Sequence, residues 1–280
     1  MAQAARYAVF GHPVAHSKSP FIHTRFARQC QQDLSYTAIE VEPEQFEAAV
    51  NGFFAAGGAG LNITVPFKER AWQMAGKLSA RARLAGAVNT LYQEAGQLSG
   101  DNTDGVGLVR DLLNNQGGQL HGARILILGA GGAVRGVLPA LLEQQPASIT
   151  IANRTLSRAR QLVDRFAALG SLHSCGFEQL QGPAYDLIIN ATSAGLSGQM
   201  PAIPTVVAAP HTWCYDMVYA DHETPFQRWG RQQHAARNLS GVGMLVEQAA
   251  EAFYLWRGVR PDTGELIREL GGCGRPDVQS

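Results

Sequence analysis

The chain has 280 residues, more than one hydrophobic core usually organises, so two domains are expected, each burying a core of its own. Its 23 basic and 23 acidic side chains cancel, leaving no overall field to draw a nucleic acid or an anionic membrane; the expected partner is a small molecule, and any phosphate recognition must be local. No apolar run approaches the roughly eighteen residues of a membrane span, the N-terminal "MAQAARYAVFGHP" has no signal-peptide core, and Cys30, Cys175, Cys214 and Cys273 form neither a C-x-x-C pair nor a zinc spacing, so a cytoplasmic protein with free buried thiols is expected.

In chain order, "RYAVF" reads as a strand and "SPFIHTRFARQC" as a helix, with Ser19 able to cap it and Pro20 in its first turn. "SYTAIEV" (strand), "PEQFEAAVNGFFAAG" (helix) and "GLNITV" (strand) continue a βαβ rhythm that implies a mostly parallel sheet. "AVNTLYQEAGQLSGD", residues 87–101, breaks the rhythm with two short extended runs about a glycine-containing turn, which predicts a hairpin. After a helical link near "GVGLVRDLLNN" a second alternation begins: "ARILILGAGGAVRGVLPALLEQ", "SITIANRTLSRARQLVDRFAAL", "YDLIINATSAG" and "TWCYDMVY". Its strands are short and apolar, as in a sheet covered on both faces. The closing helix "GMLVEQAAEAFYLWRG" is apolar on more than one face and should be largely buried.

Within "LNITVPFKER", an apolar strand gives way to Pro66, an aromatic and Lys68, at the sheet edge where α/β proteins place ligands. By itself Lys68 reads as a solvated charge opening the next helix; the alternative is a proton carrier. Histidines His12, His16 and His23 show no spacing that secures a metal-binding pair on one helical face and are expected to be structural. No metal is expected.

"ILILGAGGAVRG" runs from a strand through glycines into a helix, the context of a dinucleotide-binding turn. Gly129 allows the tight turn, and Gly131 lets a pyrophosphate approach free N–H groups at the helix start. The usual third glycine is replaced by Val134, so helix-to-sheet packing there must accept a larger side chain. At the end of the next strand, "ANRTLSR" has no acid for a ribose 2′-hydroxyl and offers instead Asn153, Arg154, Thr155 and Arg158. Spaced by four, the arginines are expected to project from one side of the helix start and grip a 2′-phosphate, which favours NADP over NAD.

In order, "HSKSP", "NITVPFK", "GAVNT", "DNTDG", "GAGGA", "NRTLSR", "NATSAG", "DMVY", "TPF" and "GVGMLVEQAA" resemble the shikimate dehydrogenase family throughout the chain. The resemblance implies an α/β protein whose split N-terminal substrate-binding domain (1–103 and 241–280) flanks a Rossmann-type NADP-binding domain (104–240), the C-terminal helices returning to the first domain. It implies NADPH-linked, reversible reduction of 3-dehydroshikimate to shikimate on the chorismate route to aromatic amino acids, by a monomer or a homodimer. Carried over residue by residue, it assigns Ser17, Ser19 and Tyr219 to the substrate carboxylate; Thr64, Asn89, Asp104 and Gln248 to the ring hydroxyls; Gly129, Ala130, Gly131, Gly132 and Ala133 to the pyrophosphate; and Met217 and Gly241 to the nicotinamide. Lys68 matches the catalytic lysine and Asp104 its partner, a neighbouring carboxylate favouring the ammonium and so the acid role in reduction. The alternatives are a quinate/shikimate dehydrogenase of broader specificity and a non-catalytic NADP-sensing module.

Overall fold

The computed structural model of the chain describes residues 4–192, 199–220 and 222–272. Two compact units emerge, one formed by Met1–Leu108 with Val246–Leu266 and the other by Val109–Leu245 with Ile267–Ser280.

In the first unit β1 (Ala5–Gly11) lies between β2 (Leu34–Glu40), the edge strand, and β3 (Gly58–Ile63), parallel to both. Beyond β3 come β5 (Thr90–Glu94), β6 (Gln97–Asp101) and the two-residue β4 (Lys77–Leu78), giving the order β2-β1-β3-β5-β6-β4. The predicted hairpin is β5–β6, antiparallel and closed by Ala95 and Gly96, both at positive φ (52° and 78°), the twist that two-residue turns require. Side chains alternate along β1: Ala8 and Phe10 join a core with Phe46, Val50, Leu61 and Phe67, while Tyr7 and Val9 pack with Val14 and Tyr36 on the opposite face. The helices covering these faces include α1 (Ser19–Gln29), α2 (Phe46–Ala55), α3 (Lys68–Met74) and α4 (Ala80–Ala85). Ser19 does not cap α1 as expected. Lys18 holds the cap position, Ser19 is the first helical residue, and its N–H donates to Ser17 Oγ at 3.3 Å.

The second unit is a six-stranded sheet, ordered β12-β11-β10-β7-β8-β9, with every pairing parallel. Its strands are β7 (Arg124–Leu128), β8 (Ser148–Ala152), β9 (Leu172–Cys175), β10 (Leu187–Asn190), β11 (Trp213–Asp216) and β12 (Arg237–Ser240). The order reverses between β7 and β10, the doubly wound arrangement in which the crevice beyond the strand ends at the reversal takes the ligand. Between the strands run α6 (Gly132–Glu143), α7 (Leu156–Phe166) and α8 (Pro225–Gln232), while α5 (Asp104–Arg110), continued by a π-helical turn at Asp111–Asn115, precedes the sheet. Val134, where a third glycine was absent, is fully buried and so forms part of the packing of α6. The closing helix α9 (Val242–Arg257) buries Val246, Ala249, Ala250 and Phe253 completely, and α10 (Gly264–Gly272) follows it.

Cys214 is buried and its thiol pushed up to about 12 by burial, but Cys30 and Cys175 are only half-buried, correcting the expectation of uniformly buried thiols; all three are free, and Cys273 lies outside the described residues. Among the described residues no helix is long and apolar enough to cross a membrane.

Candidate functional site

Lys68 opens α3, as the simpler reading held, yet it is not a solvated charge. Phe67, wholly buried and stacked on Phe46 with ring centroids 4.5 Å apart, anchors the start of the helix. The Lys68 carbonyl accepts the Val88 N–H at 2.8 Å, tying the turn to the segment that carries Asn89. The Lys68 side chain, 23% exposed, places Nζ 2.6 Å from Asp104 Oδ2. Asp104 is the first residue of α5, where the helix dipole favours an anion, and its N–H donates to Asn102 Oδ1 at 3.1 Å.

Asn89 joins the pair from the side. Its Nδ2 donates to Asp104 Oδ1 at 2.8 Å, and its Oδ1 accepts the Thr103 N–H at 2.9 Å. Thr103 Oγ1 in turn lies 3.5 Å from Gln248 Oε1, so four of the expected residues (Lys68, Asn89, Asp104 and Gln248) belong to one polar cluster in the first unit. Ser17 and Ser19 stand together at the start of α1, and Thr64, just past β3, packs its methyl group against Gly11. Of the three histidines only His23 is a buried structural one: it stacks on Tyr36 at 4.2 Å, and burial drives its imidazole down to about 3 against a weaker pull from the Asn62 side chain. His16 is exposed and His12 Nδ1 lies 3.4 Å from Glu40, which corrects the common assignment of all three.

In the second unit Gly129 follows β7 with φ at 108°, a left-handed conformation that favours glycine, and its N–H donates to Ala152 O at the end of β8. Gly131 caps α6 and has nothing within 4 Å of where a Cβ would stand, leaving room for a ligand to reach the backbone. Asn153, Arg154 and Thr155 follow β8 directly. Thr155 is the cap position of α7, so Arg154 precedes the helix and only Arg158 lies within it; the expected i, i+4 projection from one helical side is therefore replaced by a loop arginine beside a helical one. Both are exposed, and neither guanidinium has a hydrogen-bond or ion-pair partner among the described residues. Arg135, which the sequence reading missed, adds a cation close to Gly132, held below the usual arginine range by burial and by the charge of Arg165.

Met217 and Gly241 are brought together: a side chain on Gly241 would collide with the Met217 carbonyl, so only glycine fits there. Asp216, buried and pushed upward by that burial, holds the loop bearing Met217 and Tyr219 through Thr224 Oγ1 at 2.6 Å, Val218 N at 3.1 Å and Asn190 Nδ2 at 3.0 Å. Residues 193–198, which include the last three residues of the "NATSAG" motif, lie outside the described residues. Among the described residues no group of three or more His, Cys, Asp or Glu side chains could hold a metal ion.

A doubly wound parallel sheet with a glycine turn at its reversal and no acid at the second strand end, in a chain that also carries a half-buried lysine paired with a buried aspartate, defines an NADP-dependent oxidoreductase. Its matches narrow the class. Residues 9–91 match the family described as Shikimate dehydrogenase substrate binding domain, 111–197 Shikimate / quinate 5-dehydrogenase, and 241–270 Shikimate 5'-dehydrogenase C-terminal domain. The chain is 58% identical over 265 residues to a protein of Alkalilimnicola ehrlichii named shikimate dehydrogenase (NADP(+)), covering 95% of this chain and 98% of that one. A crystal structure of an Ael1 enzyme from Pseudomonas putida superposes with a TM-score of 0.91 at 45% identity, covering 98% of this chain and 99% of that one. The shikimate 5-dehydrogenase of Thermus thermophilus, solved with NADP(H) and shikimate, does so with a TM-score of 0.85 at 33% identity, covering 96% and 99%. The chain belongs to the shikimate dehydrogenase family.

Proposed function

We propose that this chain catalyses the reversible reduction of 3-dehydroshikimate to shikimate with NADPH, and that Lys68 and Asp104 carry the proton chemistry. The observation that supports this most is the 2.6 Å contact between Lys68 Nζ and Asp104 Oδ2, with Asn89 on the other carboxylate oxygen. NADPH, when bound, supplies the hydride. As the substrate carbonyl is reduced its oxygen gains negative charge, which the Lys68 ammonium offsets and then neutralises by giving up a proton. Asp104 holds that ammonium in place and, with Asn89, Thr64 and Gln248, receives the ring hydroxyls. In oxidation the neutral lysine takes the proton back.

Ser17 and Ser19, at the start of α1, offer hydroxyl donors for the substrate carboxylate, a duty that Tyr219 shares. Residues 129–133 would hold the cofactor pyrophosphate, Met217 and Gly241 would flank the nicotinamide, and Asn153, Arg154, Thr155 and Arg158 would hold the 2′-phosphate. The open cradle at Gly131 fits the pyrophosphate, and the two guanidinium groups, without a partner among the described residues, fit the 2′-phosphate. The units then take the roles of substrate-binding and NADP-binding domains. Initial rates with shikimate and quinate, each with NADP and NAD, test the reading: shikimate with NADP should be fastest. Equal turnover of quinate would indicate the broader enzyme, and no turnover with any pair would overturn the proposal.

A further inference from the structure

We infer that Asn62 and Thr90 are positioning residues for the Lys68–Asp104 pair, acting through the side-chain amide of Asn89; the inference rests on the function proposed above. Asn62 in β3 and Thr90 in β5 are cross-strand neighbours, only 7% and 0% exposed, between strand residues that are wholly apolar: Leu61, Ile63 and Leu91. A buried amide and hydroxyl cost stability unless every polar atom is bonded, and an apolar pair would suit this position better were packing its only task.

The bonds these residues make have a fixed direction. The Asn89 backbone carbonyl can only accept, so the Asn62 atom 3.1 Å from it is Nδ2, and the same NH2 group donates to Thr90 Oγ1 at 3.2 Å. Asn62 Oδ1 therefore faces Tyr36, whose hydroxyl donates to it at 2.7 Å. Having accepted from Asn62, Thr90 directs its own O–H to Asn89 Oδ1 at 2.9 Å. That leaves Asn89 only its NH2 to present to Asp104 Oδ1, 2.8 Å away, while the second carboxylate oxygen faces Lys68. Bond dipoles thus run in one sense from Tyr36 to the Asp104 anion, each strengthening the next. At the far end stands Tyr36, held well above the ordinary phenol range by burial. The Thr103 N–H also holds Asn89 Oδ1, so losing Thr90 should loosen the amide without releasing it.

Thr90→Val keeps the shape and deletes the hydroxyl; Thr90→Ser keeps the hydroxyl and deletes a methyl. With saturating NADP and shikimate, Thr90→Val should lower kcat about tenfold, the worth of one hydrogen bond, with KM for NADP unchanged. Thr90→Ser should restore kcat to within about twofold of wild type although it melts at lower temperature. Asn62→Asp, which sets an acceptor against the Asn89 carbonyl, should show the same selective loss of kcat. Wild-type kcat in Thr90→Val, or a kcat that follows melting temperature across the three variants, would overturn the inference. A wild-type protein inert toward shikimate would overturn the proposed function and this inference with it.

Discussion

Lys68 Nζ and Asp104 Oδ2 lie 2.6 Å apart, the lysine side chain 23% and the aspartate 8% exposed. The carboxylate is fixed from two sides, by Lys68 and by Asn89, while the ammonium keeps donors to spare for a substrate oxygen. Asp104→Asn retains the shape but removes the anion that orients the ammonium. We expect kcat/KM for shikimate to fall by on the order of 10² or more, with NADP affinity unchanged in a binding titration. A variant within twofold of wild type would mean that Lys68 needs no counter-charge.

Ser17 Oγ faces the first N–H groups of α1, accepting from Ser19 N at 3.3 Å. A hydroxyl bound to the substrate carboxylate contributes equally in ground and transition states, so Ser17→Ala should raise KM for shikimate and leave kcat alone. The loss should be about 1.5–3 kcal/mol, as for a hydrogen bond to a charged group. Unchanged KM with a lowered melting temperature would show that the hydroxyl serves only the helix start.

Arg154 and Arg158 stand exposed, without a partner among the described residues, at the end of β8 and the start of α7, where cations oppose the helix dipole unless an anion is bound. Removing both, as Arg154→Ala with Arg158→Ala, should weaken NADP binding by about 1.5–3 kcal/mol for each lost contact and spare NAD. Preference should collapse without reversing, because no acid is present to hold a ribose hydroxyl. The comparison is kcat/KM for NADP and NAD with saturating shikimate; an unaltered ratio would make the arginines ordinary surface charges.

Burial lowers the His23 imidazole from 6.5 to about 3. The unfolded chain therefore takes up this proton first, and the stability held above pH 6.5 is lost as pH falls toward 3. Between pH 7 and pH 5 this one group should cost about 2 kcal/mol. In His23→Phe that part of the acid-side loss should vanish from chemical denaturation curves measured at both pH values. An identical pH dependence in the two proteins would show that His23 takes up its proton without unfolding.

Much of this architecture is legible in the sequence because it rests on local signals. The glycine turn after "ILIL", the Ala95–Gly96 hairpin and the alternation of strands and helices need only neighbouring residues to be read. Misreadings arose where one residue could serve two purposes. Ser19 looks like a cap, yet helical geometry starts one position earlier and Lys18 holds the cap. Arg154 and Arg158 have helical spacing, but α7 starts at Leu156, between them. The role of Asn62 was not legible, because it depends on the register that sets Asn62 opposite Thr90, a relation between strands 28 residues apart in the chain. Its only sequence trace is an amide amid apolar residues in "LNIT", where strands seldom place one.

The central claim is that Lys68 delivers and removes the proton. Its most direct test is kcat for NADP-dependent oxidation of shikimate, followed by the appearance of NADPH, in wild type and Lys68→Ala at saturating concentrations of both. We predict a fall on the order of 10²–10⁴ with NADP affinity nearly unchanged, the usual range for losing a general acid or base. A Lys68→Ala protein that turns over shikimate at the wild-type rate would contradict the account and return Lys68 to the role of a charge that opens a helix.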